Sequence, residues 1–235
     1  MPVQTDPQYT TPADGRQLRS RRRTACRGPA GRLVVVSVDG LASADLPLLA
    51  DLPHFGRMIR EGCLCPELRG VYPTETYPLH ASAVTGTWPD RHGVRANVRL
   101  QPGQVAADWH WYRRDLKVVP FYEVAQQAGY RVATLLWPTA GRSGVRYCLP
   151  EIQPVRPGQS LVRLALGAGS PLFTLALMLR HLALLKDLRY SVLDDVTCSA
   201  ACRLLERDRV ELELLHLVDL DGVRHERGFR GAWVE

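Results

Sequence analysis

The sequence predicts an α/β domain built on a largely parallel sheet flanked by helices, and three observations carry that prediction. First, apolar runs recur at Leu33–Val38 (LVVVSV), Tyr130–Trp137 (YRVATLLW) and Leu212–Leu220 (LELLHLVDL). Such runs are how strands covered on both faces of a parallel sheet read. Second, helical segments alternate with them. Third, Leu33–Val38 and Leu212–Leu220 each run into an aspartate followed by glycine, Asp39-Gly40 and Asp221-Gly222. Ligands of open α/β sheets bind beyond the carboxyl ends of the strands, which would put Asp39 and Asp221 on one edge. Acidic residues also end strands as ordinary turn formers, so this signal alone leaves both readings open.

The helical segments have visible stops. Residues 52–62 (LPHFGRMIREG) close at Gly62, Thr76–Thr85 ends before Gly86, and 120–129 (PFYEVAQQAG) stops at Gly129. Glycine past the last turn is the usual helix terminator. Val192–Arg207 sets Asp and Arg against Leu, Ala and Cys at helical spacing. A strand-like stretch at Leu68–Val71 leads into Tyr72-Pro73. Ser170-Pro171 reads as an N-cap and first helical residue, opening a helix through Lys186. The apolar run Leu164–Leu179 contains Gly167, Gly169 and Pro171 and is shorter than the roughly 20 residues that span a bilayer. It predicts a packed helix, and no membrane partner is expected.

The chain has 235 residues and a formal net charge of +6. Residues 1–32 hold seven arginines against Asp6 and Asp14, so nearly all of the excess lies there. Residues 1–31 therefore read as a disordered basic leader and 32–235 as a folded body close to neutral. Nucleic-acid binding by that body is not indicated. Arg21–Arg23 is not followed by an apolar stretch, so it is no secretion signal. The six cysteines match no zinc-knuckle spacing. Together these point to a reducing, cytoplasmic setting.

The densest chemistry lies in Tyr72–Asn97, YPTETYPLHASAVTGTWPDRHGVRAN. Thr76 falls where a helix begins and reads as its N-cap, with Pro78 in the first turn. Its hydroxyl would lie beside free backbone N–H groups at the positive end of a helix dipole, a natural seat for phosphate. A threonine hydroxyl is a poor nucleophile at neutral pH, and a divalent cation activates it. Asp39 can hold such a cation. Asp221 and His225 lie four residues apart and share one side if a helical turn follows the strand. Carboxylate plus imidazole suits Zn²⁺, and Mn²⁺ less tightly. Asp219 shares that side less easily. His80 and His92 read as loop-holding hydrogen bonders, and His216 as a satisfied core histidine. Of the aromatic residues Trp109, Trp111, Tyr112 and Trp137, Trp137 is best placed to stack a nucleobase in a substrate, core packing being the alternative.

The frame Y-P-T-x-T-[FY]-P-x-H, continued by T-G-x-[WY]-P-x-x-H-G and a following Asn, resembles the type I phosphodiesterase/nucleotide pyrophosphatase family of the alkaline phosphatase superfamily. Asp39-Gly40 and the D-x-x-x-H of Asp221–His225 match the family's ligand segments, and the likeness covers about residues 32–228. It implies an alkaline-phosphatase-like fold and a phosphodiester or nucleotide substrate. Thr76, rather than Thr74, would be the nucleophile and form a phosphothreonine. Asn97, 21 residues later, would donate to a phosphoryl oxygen. Asp39 with Thr76 would hold one of two divalent cations, most suitably Zn²⁺, and Asp221 with His225 the other.

The family's later D-H-G motif and final histidine do not occur in this sequence, and Leu79 stands where many relatives have Asn. The expectation is therefore the N-terminal part of such a domain, weakly active, with Leu212–Leu220 as an unpaired apolar edge. The alternative is a non-catalytic remnant that binds phosphate or a partner.

Overall fold

The computed structural model describes residues 31–182 and 190–229. Residues 1–30 of the basic leader lie outside these residues, and the helix expected through Lys186 ends at Arg180, with His181 as its C-cap. Four strands form one sheet: β1 (Leu33–Val38), β2 (Val132–Leu135), β3 (Tyr147–Leu149) and β4 (Leu212–Leu217). Every pairing is parallel, in the order β1-β4-β2-β3. The helices that follow the strand-end loops are α1 (Leu46–Asp51), α2 (Pro53–Glu61), α3 (Thr76–Thr85), α4 (Pro89–His92) and α5 (Phe121–Gln127). They are joined by α6 (Leu161–Ala168), α7 (Pro171–Arg180), α8 (Tyr190–Glu206) and α9 (Asp219–Arg227). The α/β class read from the sequence is the class observed. Among the described residues no helix is long and apolar enough to cross a membrane.

Side-chain alternation along β4 divides the core. Leu212 and Leu214 pack with Tyr77 and Ala81 of α3, Tyr122 of α5 and Ala165 of α6. Leu215, one residue out of phase, packs with Leu177 of α7 and Ala200 and Leu204 of α8. A strand with period two between two helical layers serves both faces at once.

The strand environments differ from the sequence expectation. β4 is not the exposed edge: it lies between β1 and β2, paired on both sides. The edge is β1, read as doubly buried, where Leu33 is 55% and Val36 51% exposed. An apolar run reports that a strand needs covering, not which neighbour covers it. Leu68–Val71 is irregular backbone, with Leu68 at the surface. β3, three residues long, is too short to leave a period. The run read as Leu212–Leu220 stops as a strand at Leu217, and helix begins at Asp219. Asp194 accounts for the switch, since its two carboxylate oxygens accept the backbone N–H groups of Val218 and Asp219.

Two polar groups inside this framework have energetic consequences. Arg224 of α9 donates to the Gly40 carbonyl and, at 2.6 Å, to Asp45. Its side chain is 4% exposed and that of Asp45 17%. The pair bolts α9 to the loop after β1, and the Arg224 hydrogen bond holds the Asp45 carboxyl below its usual range. Arg224→Ala leaves that carboxylate half-buried without its partner. The expected cost is about 3 kcal/mol, the low end for breaking a buried pair because Asp45 keeps some water. A thermal melt should fall by roughly 10 °C.

Glu213 of β4 is fully buried, and neither carboxylate oxygen has a hydrogen-bond partner among the described residues. Burial pushes its pKa up to about 7. A carboxyl whose folded pKa is raised favours folding below its unfolded pKa of about 4.3, and that contribution is lost as pH rises through 7. Glu213→Leu should therefore stabilise the fold by about 3 kcal/mol more at pH 8 than at pH 4. Melts across that pH range check the slope.

Candidate active site

Thr76 and Asp39, 37 residues apart in sequence, meet at the carboxyl edge of the sheet, where the Thr76 hydroxyl donates to Asp39 Oδ2 at 3.0 Å. β1 delivers Asp39 at its end, and α3 delivers Thr76 at its start. Asp39 Oδ1 accepts the N–H of Gly40 at 3.1 Å. Burial works to raise the Asp39 pKa, but the adjacent His216 imidazole and the Thr76 hydroxyl overcome it, so the carboxyl sits below its ordinary value.

Thr76 is not the helix cap. The N-cap position is Glu75, Thr76 is the first helical residue, and no local side chain caps the helix. The capping bond comes from Asn97, whose side-chain oxygen accepts the Tyr77 N–H at 2.9 Å. Glu75 in turn accepts the Asn97 N–H at 2.7 Å. This exchange frees the Thr76 hydroxyl for Asp39. It also fixes the Asn97 amide at the helix N-terminus, with its NH₂ unspent among the described residues.

Histidines brace the helix from behind. His80 Nδ1 lies 2.7 Å from the Thr76 carbonyl and Nε2 2.9 Å from the Ser37 hydroxyl of β1. A carbonyl can only accept, so Nδ1 donates and Nε2 receives the Ser37 proton. Burial, with help from the nearby His216 charge, lowers the His80 pKa to about 3, so the ring is neutral. His92 Nδ1 accepts the Val94 N–H and its Nε2 meets Ser82 of α3 at 2.9 Å. Both are hydrogen-bonding residues as their sequence position suggested, but His80 ties α3 to β1 rather than a loop, while His92 holds the turn at Val94.

His216 is fully buried but is more than a core histidine. Its Nε2 stands 3.4 Å from Asp39 Oδ2 and its Nδ1 3.7 Å from Glu151 Oε2. Sequence reasoning missed this. The available signal was that His216 shares the parity of Leu212 and Leu214 and lies at the strand's carboxyl end. Glu151 gave no signal, because the strand it follows, β3, was not recognisable.

Asp221 and His225 lie one turn apart on α9, with Asp221 Oδ2 3.4 Å from His225 Nε2. The helix brings Asp221 against the β1 loop. A Cβ on Gly40 (φ +75°) would stand 3.0 Å from the Asp221 Cα, so glycine is needed there for both its backbone angle and its lack of side chain. Burial raises the Asp221 pKa, and the negative charge of Asp39 raises it further. Asp219, read as secondary, faces Asp194 instead, where burial and that like charge lift its pKa to about 7.

Two carboxylates that repel across the Gly40 contact, one beside a hydroxyl and the other beside an imidazole, form a donor set whose chemistry fits divalent cations. The count is incomplete, since each half offers two side-chain donors. Among the described residues no three His, Cys, Asp or Glu side chains are grouped to hold one ion. Trp137 takes no part at the surface. It is 2% exposed and packs edge-on against His80 at 5.0 Å between ring centroids, so its ring belongs to the core and offers no stacking face.

The sequence matches the family described as type I phosphodiesterase / nucleotide pyrophosphatase over residues 33–234. It is 44% identical over 68 residues to mouse bis(5'-adenosyl)-triphosphatase enpp4, covering 29% of this chain and 15% of that protein. It is 29% identical over 115 residues to human ectonucleotide pyrophosphatase/phosphodiesterase family member 1, covering 45% of this chain and 12% of that protein. The fold is similar to that of an inactive murine ectonucleotide pyrophosphatase/phosphodiesterase 5 in complex with AMP (TM-score 0.55, 18% identity, 87% of this chain and 47% of that one). It is also similar to phosphonoacetate hydrolase from Sinorhizobium meliloti 1021 in complex with phosphonoacetate (TM-score 0.51, 18% identity, 80% and 46%). The chain thus spans about half the length of these solved neighbours and less of the curated relatives. With the family match running through both the Thr76 segment and the Asp221–His225 helix, the chain belongs to the type I phosphodiesterase/nucleotide pyrophosphatase family of divalent-metal-dependent hydrolases.

Proposed function

We propose that this chain carries the nucleophile half of a hydrolase acting on phosphodiester or pyrophosphate bonds of nucleotide-like small molecules, with Thr76 as the nucleophile. The observation that carries the reading is the Thr76 hydroxyl held 3.0 Å from Asp39 at the first residue of α3. The helix is capped by Asn97, whose side-chain oxygen takes the Tyr77 N–H, and the Thr76 hydroxyl is turned to Asp39. The AMP bound by the murine fold neighbour supports a nucleotide as the ligand class. In this reading residues 32–235 form the N-terminal part of an alkaline-phosphatase-like domain.

Asp39 and Thr76 would hold one divalent cation and Asp221 and His225 the other, with Zn²⁺ the best match and Mn²⁺ the weaker one. Bound there, the cations supply positive charge that eases formation of the threonine alkoxide and offsets the phosphoryl oxygens. The chain's own residues do the rest. Thr76 Oγ1, held by Asp39 Oδ2, adds to phosphorus as the bond to the leaving alcohol or phosphate breaks in line, and the threonine proton leaves with that group or passes to solvent. The free NH₂ of Asn97 and the N-terminus of α3 stabilise negative charge on a non-bridging oxygen. Water then cleaves the phosphothreonyl bond and regenerates the hydroxyl.

The test is acid-quenched mass spectrometry after incubation with bis-p-nitrophenyl phosphate and Mn²⁺ or Zn²⁺. A phosphoryl adduct is expected on the peptide containing Thr76 and absent from Thr76→Ala; turnover in Thr76→Ala equal to the parent would overturn the assignment. Asn97→Ala should lower turnover about 10²–10³-fold. It should also cost about 1 kcal/mol of stability through the lost cap, read by thermal melt. A chain that takes up neither metal nor phosphoryl group would be the phosphate- or partner-binding remnant instead.

A further inference from the structure

At the other end of the sheet, α7 and α8 part over the first residue of β3 and leave a cavity of about 320 Å³. Tyr147 of β3, Phe173 and Leu177 of α7 and Leu204 of α8 form its apolar walls. Tyr147 and Phe173 meet edge to face, with ring centroids 5.4 Å apart. Four arginines stand on the same cavity. Arg180 closes α7, Arg203 lies in the last turn of α8, and Arg207 and Arg209 lie in the connection to β4. The strands are parallel, so this place is at their amino ends, away from Thr76 and Asp39.

The arginines have no counterion. Among the described residues none of the four forms an ion pair. Arg203 is half-buried; that burial and the charges of Arg180 and Arg207 lower its pKa, against a smaller opposing pull from Glu206. Like charges clustered beside an apolar wall cost free energy that an anion would recover. A neutral apolar ligand would leave the repulsion standing, and a small anion would leave the walls wet, so the cavity suits a molecule that has both parts. Guanidinium groups take a carboxylate through two parallel hydrogen bonds. The volume is about twice the 150 Å³ that accommodates benzene, room for a chain of about ten carbons.

We propose that this cavity binds an amphipathic monocarboxylate of the fatty-acid class, with its chain against Tyr147, Phe173, Leu177 and Leu204 and its carboxylate on Arg203, Arg180 and Arg207. The site is separate from Thr76 and does not rest on the hydrolase reading.

Calorimetric titration of the full chain with decanoate tests it, with folding of each variant checked by circular dichroism. The parent should bind decanoate. Decanol, which lacks the charge, should bind about tenfold more weakly. Butyrate should give no measurable binding, because each buried methylene contributes about fourfold. Arg203→Gln should weaken decanoate about tenfold, as loss of a hydrogen bond to a charged group does, and Arg203→Lys should recover part of that loss. Ala176, an exposed residue of α7 on the cavity, gives a way to fill it: Ala176→Trp should abolish binding. Decanol or butyrate binding as tightly as decanoate would overturn the proposal. So would decanoate affinity within about twofold of the parent in folded Arg203→Gln or Ala176→Trp, or no binding by the parent. In that last case a dimer in sedimentation that Ala176→Trp dissociates would mark the cavity as a contact between copies instead.

Discussion

One hydrogen bond, from the Thr76 hydroxyl to Asp39 Oδ2, sets the terms for the rest of the site. It requires a strand end and a helix start 37 positions apart in sequence to face each other, and it requires the helix to be capped from elsewhere. The protein meets the second condition by assigning the cap to Asn97, which is itself held by Glu75. A local capping motif would have consumed the hydroxyl. Assigning the cap to a distant residue leaves the Thr76 hydroxyl to Asp39 and brings the Asn97 amide to the same spot.

The second half of the site depends on a close approach. Gly40 lets α9 come within contact of the β1 loop, and Arg224 clamps the two by binding the Gly40 carbonyl and Asp45. The same approach sets the negative charges of Asp39 and Asp221 against each other. Such repulsion is destabilising unless something positive stands between the carboxylates. The fold bears the cost through a nearly dry Arg–Asp pair and a glycine at positive φ.

The sheet explains why the site lies where it does and why some elements were hard to foresee. All pairings are parallel, so every strand delivers its carboxyl end to one edge. Asp39, His216 and Glu151 come from β1, β4 and the segment after β3. Inserting the last strand between β1 and β2 makes His216 a neighbour of Asp39, although 177 residues separate them in sequence. It also moves the exposed apolar edge from β4 to β1.

The sequence by itself determined the class of fold and the helix at Thr76–Thr85. Each rests on short-range pattern: apolar runs, glycine stops, and a dense motif whose residues act within a turn or two of one another. The i,i+4 pair Asp221–His225 was legible for the same reason once a helix followed the strand. Only the tertiary structure decided the strand order, the exposure of β1, the burial of Trp137 in the core and the placement of His216, Glu151 and Arg224. Those are fixed by which elements pack side by side, and a buried polar residue between apolar neighbours reads the same in one dimension whether it faces leucine or a carboxylate.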